Sequence, residues 1–277
     1  MNACAKPISN FNSPPGVYTA PTYINFKNQS TGSDSYVWKI DSEIVSDSTD
    51  LNHLFLDSGR HTIELVSTKG SKESISQRDI FIEAPTECLV YILTNYGPLI
   101  VSLSDKTPGH RDNFLQLVST SFYEGIKFHR VINGFMIQAG DPKTNPTSRK
   151  IKHPKEIKEE ISKDLLHYRG ALAAARLPDN VNPTKASSGT QFYIVEGQQL
   201  TTDAIEEYGY NRLEGYSEDQ KLQYLSHGGT PQLDGEYTVF GQLIDGYDTL
   251  DKISNVKTDK SNKPIEPVII IKTTSIN

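Results

Sequence analysis

A permanent cation set among apolar side chains marks residues 128–142 of the 277-residue chain. Arg130 stands between Phe128 and the pair Val131 and Ile132, and Gln138 follows on a second alternating run with Phe135 and Met136. Most arginines form solvated ion pairs. A guanidinium in apolar company instead keeps its charge at any physiological pH and offers several donors in a fixed plane. Such a group can stabilise charge that redistributes in a transition state, with no covalent intermediate. Gln138, on the following strand, is placed to hydrogen-bond and orient it. His129 invites an acid–base reading, but neighbouring strand residues point to opposite faces, so it is read as structural. No ligand-spaced histidine pair occurs and Cys4 and Cys88 are the only cysteines, so neither a metal, a cofactor nor a disulfide framework is expected. Asp141 and the cluster Glu156, Glu159 and Glu160 form no catalytic dyad; the cluster reads as the solvated face of a helix over 155–166.

The elements that must position these groups are mostly strands. Apolar alternation predicts strands near 89–94, 98–103, 127–131, 135–139, 171–175, 192–195, 238–243 and 268–273. Asn95-Tyr96-Gly97 reads as a hairpin turn with glycine supplying a positive φ. Thr107-Pro108 reads as N-cap and first turn of a helix whose Phe114, Leu117 and Val118 face inward. So few helices among so many strands favour a closed antiparallel barrel over a βαβ fold. Residues 143–168 and 197–231 are insertions. The second carries Ile205, Tyr208, Leu213, Leu222 and Leu225 as candidate inward positions; it reads either as a packed decoration or, from where it lies, as a segment that tunes access to a groove.

Upstream, residues 1–16 are rich in Pro, Asn and Ser and read as a linker or tether. Residues 17–84 alternate over short runs between turn signals, which predicts a small β-sandwich whose core falls to Phe26, Trp38, Leu56, Ile63 and Leu65.

Four ordered motifs carry a family resemblance. Residues 128–142 read Phe-His-Arg-Val-Ile-Asn-Gly-Phe-Met-Ile-Gln-Ala-Gly-Asp-Pro; 170–176 read Gly-Ala-Leu-Ala-Ala-Ala-Arg; 188–194 read Ser-Gly-Thr-Gln-Phe-Tyr-Ile; 233–241 read Leu-Asp-Gly-Glu-Tyr-Thr-Val-Phe-Gly. Together they resemble the cyclophilin-type peptidyl-prolyl cis-trans isomerases, and the likeness extends over 87–275. It implies an eight-stranded antiparallel barrel capped by helices, with Arg130 and Gln138 catalytic. It also implies a proline site walled by Phe135, Met136, Tyr193 and Leu233, with Ala175 and Gln191 lining the groove for the substrate backbone and Tyr237 a further substrate-binding residue. Proline-containing peptides and unfolded proteins would be the partners, and a non-catalytic proline-peptide binder or chaperone is the alternative. Tyr193 stands where the family commonly has phenylalanine, Arg176 where asparagine is frequent, Gln232 where many eukaryotic members have tryptophan, and Tyr237 where they have histidine. The last two changes imply weakened cyclosporin binding. Residues 28–32, 36–38, 53–55 and 59–65 resemble an immunoglobulin-like module of the polycystic-kidney-disease (PKD) type, with Asp41-Ser42-Glu43 replacing its usual Gly-Asp-Gly.

A net charge of -6 argues against nucleic acid as a partner. Met1-Asn2-Ala3 shows neither a basic n-region nor an apolar h-region, so no export signal is visible. Cys4 nevertheless resembles the lipid-carrying first residue of a bacterial lipoprotein, which predicts a lipid-anchored protein of the periplasm or cell envelope. A free terminal thiol on a cytoplasmic protein is the alternative.

Overall fold

The computed structural model describes residues 6–210 and 215–276. Cys4 and Leu213 lie outside them. The chain divides into two compact units, one over the N-terminal 86 residues and one over Glu87–Ser275.

The N-terminal unit has eight strands: β1 Phe11–Asn12, β2 Tyr18–Thr19, β3 Thr22–Asn28, β4 Ser35–Ile40, β5 Glu43–Ser46, β6 Leu51–Phe55, β7 Gly59–Lys69 and β8 Lys72–Glu83. They form two sheets, β1-β3-β6 and β2-β8-β7-β4-β5. Trp38 joins them, fully buried, with its ring 5.1 Å from Phe11 and 6.2 Å from Phe26. Residues 8–12 are therefore not linker. Ile8 bridges Thr31, Phe11 pairs with Asn28, and the Phe11 side chain has no exposed surface. Leu56 is only half-buried, and Phe55, one residue earlier, takes the core position. A sandwich this small needs every large ring it has.

The second unit comprises β9 Cys88–Thr94, β10 Gly97–Leu103, α1 Pro108–Ser119, β11 Arg130–Ile132, β12 Met136–Ala139, β13 Glu156–Ile157, β14 Ala171–Arg176, β15 Ser187–Val195, α2 Thr202–Tyr210, α3 Glu218–His227, β16 Val239–Asp245, α4 Tyr247–Ser254 and β17 Ile270–Ile276. Eight strands run in the order β11-β12-β15-β14-β16-β10-β9-β17, and β13 pairs with β15 off this path. The ends meet: Phe128 N–H donates to Val268 O at 2.9 Å, Ile270 N–H to Ile126 O at 2.9 Å, and Lys127 bridges Ile269. Closure in this way leaves no long unpaired edge. Period-2 alternation then sorts the side chains. Val131, Ile137, Ala139, Leu172, Ala174, Phe192 and Ile194 fill the barrel with Phe114, Leu117 and Val118 of α1.

Two expectations fail locally. Thr107 makes no side-chain cap to α1. Glu160 does so from a distance in sequence, accepting from Gly109 N and His110 N, each at 2.9 Å, and from His110 Nδ1 at 2.6 Å. Burial alone would raise the Glu160 carboxyl, but these three donors outweigh it and hold its pKa below the ordinary value. Burial pushes His110 the other way, below its ordinary 6.5, so the pair at neutral pH is a carboxylate and a neutral imidazole rather than two full charges. Residues 155–166 are accordingly not a helix. They cross as extended chain, with Lys155 O accepting from Gly189 N and Glu160 N–H donating to the Thr238 hydroxyl. Their backbone groups are satisfied by neighbouring strands, a tertiary gain that exceeds the few tenths of a kcal/mol per residue at stake in helix propensity.

The 197–231 insertion is a narrow-necked excursion. A Cβ on Gly197, whose φ is +68°, would sit 2.4 Å from the Gly229 Cα, so only glycine permits the two ends to meet. Ile205, Tyr216 and Tyr224 are buried with Leu166, and Tyr208 and Leu225 pack at the edge. Leu222 is instead exposed, and the inward tyrosines Tyr216 and Tyr224 occupy the role assigned to it.

Candidate functional site

On the barrel's outer face the register places Arg130 opposite Gln138, Gln138 opposite Tyr193, and Tyr193 opposite Ala173. These four residues form one row across four strands, β11, β12, β15 and β14. The alternation that sends Ile137 and Phe192 inward leaves this row outside. Met136 and Tyr193 are 2% and 5% exposed, and with Ala171, Ala173, Val195 and Val239 they make an apolar cluster separate from the barrel interior. Phe135, Ala175, Leu233 and Tyr237 pack against it partly buried, as walls around an opening.

The opening is a cavity of about 190 Å³ lined by Arg130, Phe135, Met136, Gln138, Ala175, Arg176, Tyr193, Leu233 and Tyr237. It exceeds the ~150 Å³ apolar cavity that holds a benzene ring, so a five-membered ring fits. Arg130 donates through Nη1 to Gln138 Oε1 at 3.5 Å, and Gln138 Nε2 donates to Gln191 Oε1 at 3.1 Å. Gln191 does not line the cavity itself; it fixes which way the Gln138 amide faces. The cation is thus held at the mouth of an apolar ring-sized slot by a two-glutamine chain.

His129 is on the other side of its strand, as alternation requires. Burial lowers its pKa, and among the described residues its Nδ1 has no hydrogen-bond partner. No three His, Cys, Asp or Glu side chains converge among the described residues in a way that could hold a metal.

A family model described as cyclophilin-type peptidyl-prolyl cis-trans isomerase matches residues 89–275. The chain belongs to this family. A candidate bifunctional phosphatase/peptidyl-prolyl cis-trans isomerase of Streptococcus pyogenes is 37% identical over 194 residues, covering 68% of this chain and 39% of that one. A candidate peptidyl-prolyl cis-trans isomerase of Staphylococcus haemolyticus is 35% identical over 185 residues, covering 66% and 89%. The chain thus spans about two fifths of the streptococcal protein and most of the staphylococcal one. The crystal structure of a Cryptosporidium parvum cyclophilin-type isomerase aligns with a TM-score of 0.51 at 30% identity, covering 68% of this chain and 97% of that one. A second structure of the parasite isomerase, determined in the presence of the dipeptide Ala-Pro, aligns at 0.50 and 31%.

Against that family background the departures have visible structural solutions. The Tyr193 hydroxyl lies 2.9 Å from His167 Nε2, turned out of the slot. Burial raises the phenol well above its ordinary pKa, so it stays neutral and the slot stays apolar. Arg176 lies with its guanidinium carbon 4.6 Å from the Tyr237 ring centroid. Its donors are taken by Glu236 O at 2.8 Å, Glu236 Oε2 at 3.0 Å, Leu177 O at 3.0 Å and the Asp179 carboxylate. It is therefore a brace for the Tyr237 wall, not a second free cation. Glu196, 7% exposed, accepts from Gly134 N at 2.5 Å while Phe135 O accepts from Glu196 N and Gly197 N, so it fastens the turn that presents Phe135. None of His167, Arg176's bracing role or Glu196 carries a local signal, because the partners that matter (Tyr193, then Glu236 and Tyr237, then Gly134) lie 26 or more residues away.

Proposed function

We propose that residues 87–275 accelerate cis–trans rotation about X-Pro bonds in proline-containing peptides and unfolded proteins. The observation that carries this is the juxtaposition of Arg130, held by Gln138, with a ring-sized slot walled by Phe135, Met136, Tyr193 and Leu233. The barrier to rotation, about 18–20 kcal/mol, comes from C–N double-bond character. Cis and trans prolyl states differ by only about 0.5–1 kcal/mol. No driving force is required, only preferential stabilisation of the twisted amide. With the pyrrolidine ring seated against Phe135, Met136 and Leu233, the guanidinium faces the prolyl amide. A donor there favours the pyramidal nitrogen or the uncoupled carbonyl of the twisted state over the planar one. In a short Ala-Pro peptide the wild-type protein accelerates isomerisation; binding of the peptide without acceleration would leave a proline-peptide binder.

Cyclosporin binding is expected to be weak. Gln232, next in sequence to the slot-lining Leu233, is exposed where many members present an indole. Losing roughly half of the 150–250 Å² a tryptophan buries, at about 25 cal/mol per Å², corresponds to about 2.5 kcal/mol, or roughly 70-fold in affinity. Gln232→Trp should recover at least tenfold of this in an inhibition titration; tight inhibition of the unsubstituted protein would overturn the expectation.

The N-terminal sandwich is assigned to the PKD-like class as a spacer, and Cys4 as the acylated residue of a bacterial envelope lipoprotein. The motifs at 28–32, 36–38 and 59–65 and the two-sheet topology support the first assignment; the resemblance of Cys4 to the lipid-carrying residue of bacterial lipoproteins supports the second. Growth of the source cells with a clickable fatty acid should label the protein, and substitution Cys4→Ser should abolish the label. An unlabelled protein would return Cys4 to the status of a free thiol.

A further inference from the structure

The slot's floor is wired to the 197–231 insertion through a continuous buried polar chain. Asp234 Oδ1 accepts from the His167 backbone N–H and from His167 Nδ1, each at 2.8 Å. With Nδ1 facing a carboxylate, the tautomer that donates from Nδ1 presents Nε2 as an acceptor to the Tyr193 hydroxyl at 2.9 Å. The His167 and Asp234 side chains have no exposed surface. The other carboxylate oxygen, Oδ2, accepts from Tyr216 at 2.7 Å and Tyr224 at 2.6 Å, both brought by the insertion. Tyr224 has no exposed surface, and burial raises its phenol well above the ordinary value, so it remains a donor at all working pH. Tyr193 and His167 also lie nearly parallel, 13° apart, so the imidazole sets the plane of the phenol ring as well as its hydroxyl.

We propose that the insertion sets the affinity of the prolyl slot through Tyr216 and Tyr224, acting on Asp234, then His167, then Tyr193. His167 and Asp234 are positioning residues: neither lines the cavity, and both act through the ring that forms its floor. A Tyr193 whose hydroxyl lost its partner would rotate to find water in the slot, since an unpaired buried hydroxyl costs about 1–3 kcal/mol. The slot would then become wetter and narrower. A phenylalanine at this position would have no hydroxyl to restrain. Arg130 and Gln138 lie on neighbouring strands and are untouched by this movement, so ground-state and transition-state binding weaken together.

This inference rests on the prolyl-slot reading of the previous subsection, and its test separates the two. Isomerisation kinetics and peptide affinity are measured on the full chain with an Ala-Pro tetrapeptide, the affinity by calorimetry. The Tyr216→Phe/Tyr224→Phe double variant and His167→Leu should each raise KM and Kd five- to tenfold with kcat within twofold. In a Tyr193→Phe background the same substitutions should change KM less than twofold, because no hydroxyl remains to release. His167→Gln, whose amide can still reach the hydroxyl, should restore KM and keeps the test usable if the double variant does not fold. Unchanged KM, or an increase that persists undiminished with Tyr193→Phe, would overturn the proposal, the latter showing general loosening. A wild type that binds peptide without accelerating isomerisation, yet shows the same Kd pattern, would sink the activity and leave the coupling standing.

Discussion

Arg130→Ala lowers kcat/KM for prolyl isomerisation by about 100- to 1000-fold, while Kd for an Ala-Pro peptide rises less than about tenfold. The asymmetry follows from where the cation sits. The ring is held by Phe135, Met136, Leu233 and Tyr193, which remain, whereas the group facing the reacting amide is gone. Removing one preorganised donor from a desolvated site costs about 2.7–4 kcal/mol of transition-state stabilisation. Arg130→Lys restores the charge but not the planar fork that Gln138 orients, so recovery should stop at least tenfold short of wild type. The measurement is magnetisation exchange between cis and trans resonances, which needs no coupling protease, alongside calorimetric affinity. Retention of more than a third of wild-type turnover by Arg130→Ala would remove the cation from the mechanism.

Trp38→Ala unfolds or severely destabilises the N-terminal sandwich and leaves isomerase kinetics as they are. Trp38 is fully buried, meets two rings of the opposite sheet, Phe11 and Phe26, and its Nε1 donates to Ser48 O at 3.0 Å. Such a truncation costs about 3–5 kcal/mol. A unit of this size holds only about 0.05–0.15 kcal/mol per residue, so from about a quarter to all of its stability is at stake. At about 4–8 °C per kcal/mol for a domain this small, its calorimetric transition should fall by at least 12 °C. Phe11→Ala should act on the same transition, since its ring meets Trp38 edge-on at 5.1 Å with the planes 72° apart. A Phe11→Ala protein with an unshifted transition would return residues 8–12 to the status of a tether.

Legibility in the sequence tracks distance along the chain. Alternation over 128–138 is enough to separate Arg130 and Gln138 from His129 and Ile137, because a strand's period of two is set by each residue's own backbone geometry. The turn at 95–97 is equally local: Gly97 has φ +133° and the strands pair from Thr94 outward. Residues 155–166 depart from their local pattern for the opposite reason. Charged residues of good helix propensity suggested a helix, but Glu160 caps α1 some fifty residues upstream and the flanking backbone pairs with β15. In the sandwich, the Pro-rich surroundings of Phe11 conceal a core ring whose value depends on where Trp38 arrives.

Composition and periodicity by themselves determined a closed β-barrel with a small sandwich before it, and the resemblance carried by the four ordered motifs implied a guanidinium beside a proline slot. Only the tertiary structure decided that Tyr193 keeps its hydroxyl out of the slot, that Arg176 braces Tyr237, and that Asp234 joins the insertion to the floor. Backbone geometry and turn preference are properties of neighbouring residues. A buried hydrogen bond exists only once sheet closure has brought distant donors and acceptors together and taken their water away.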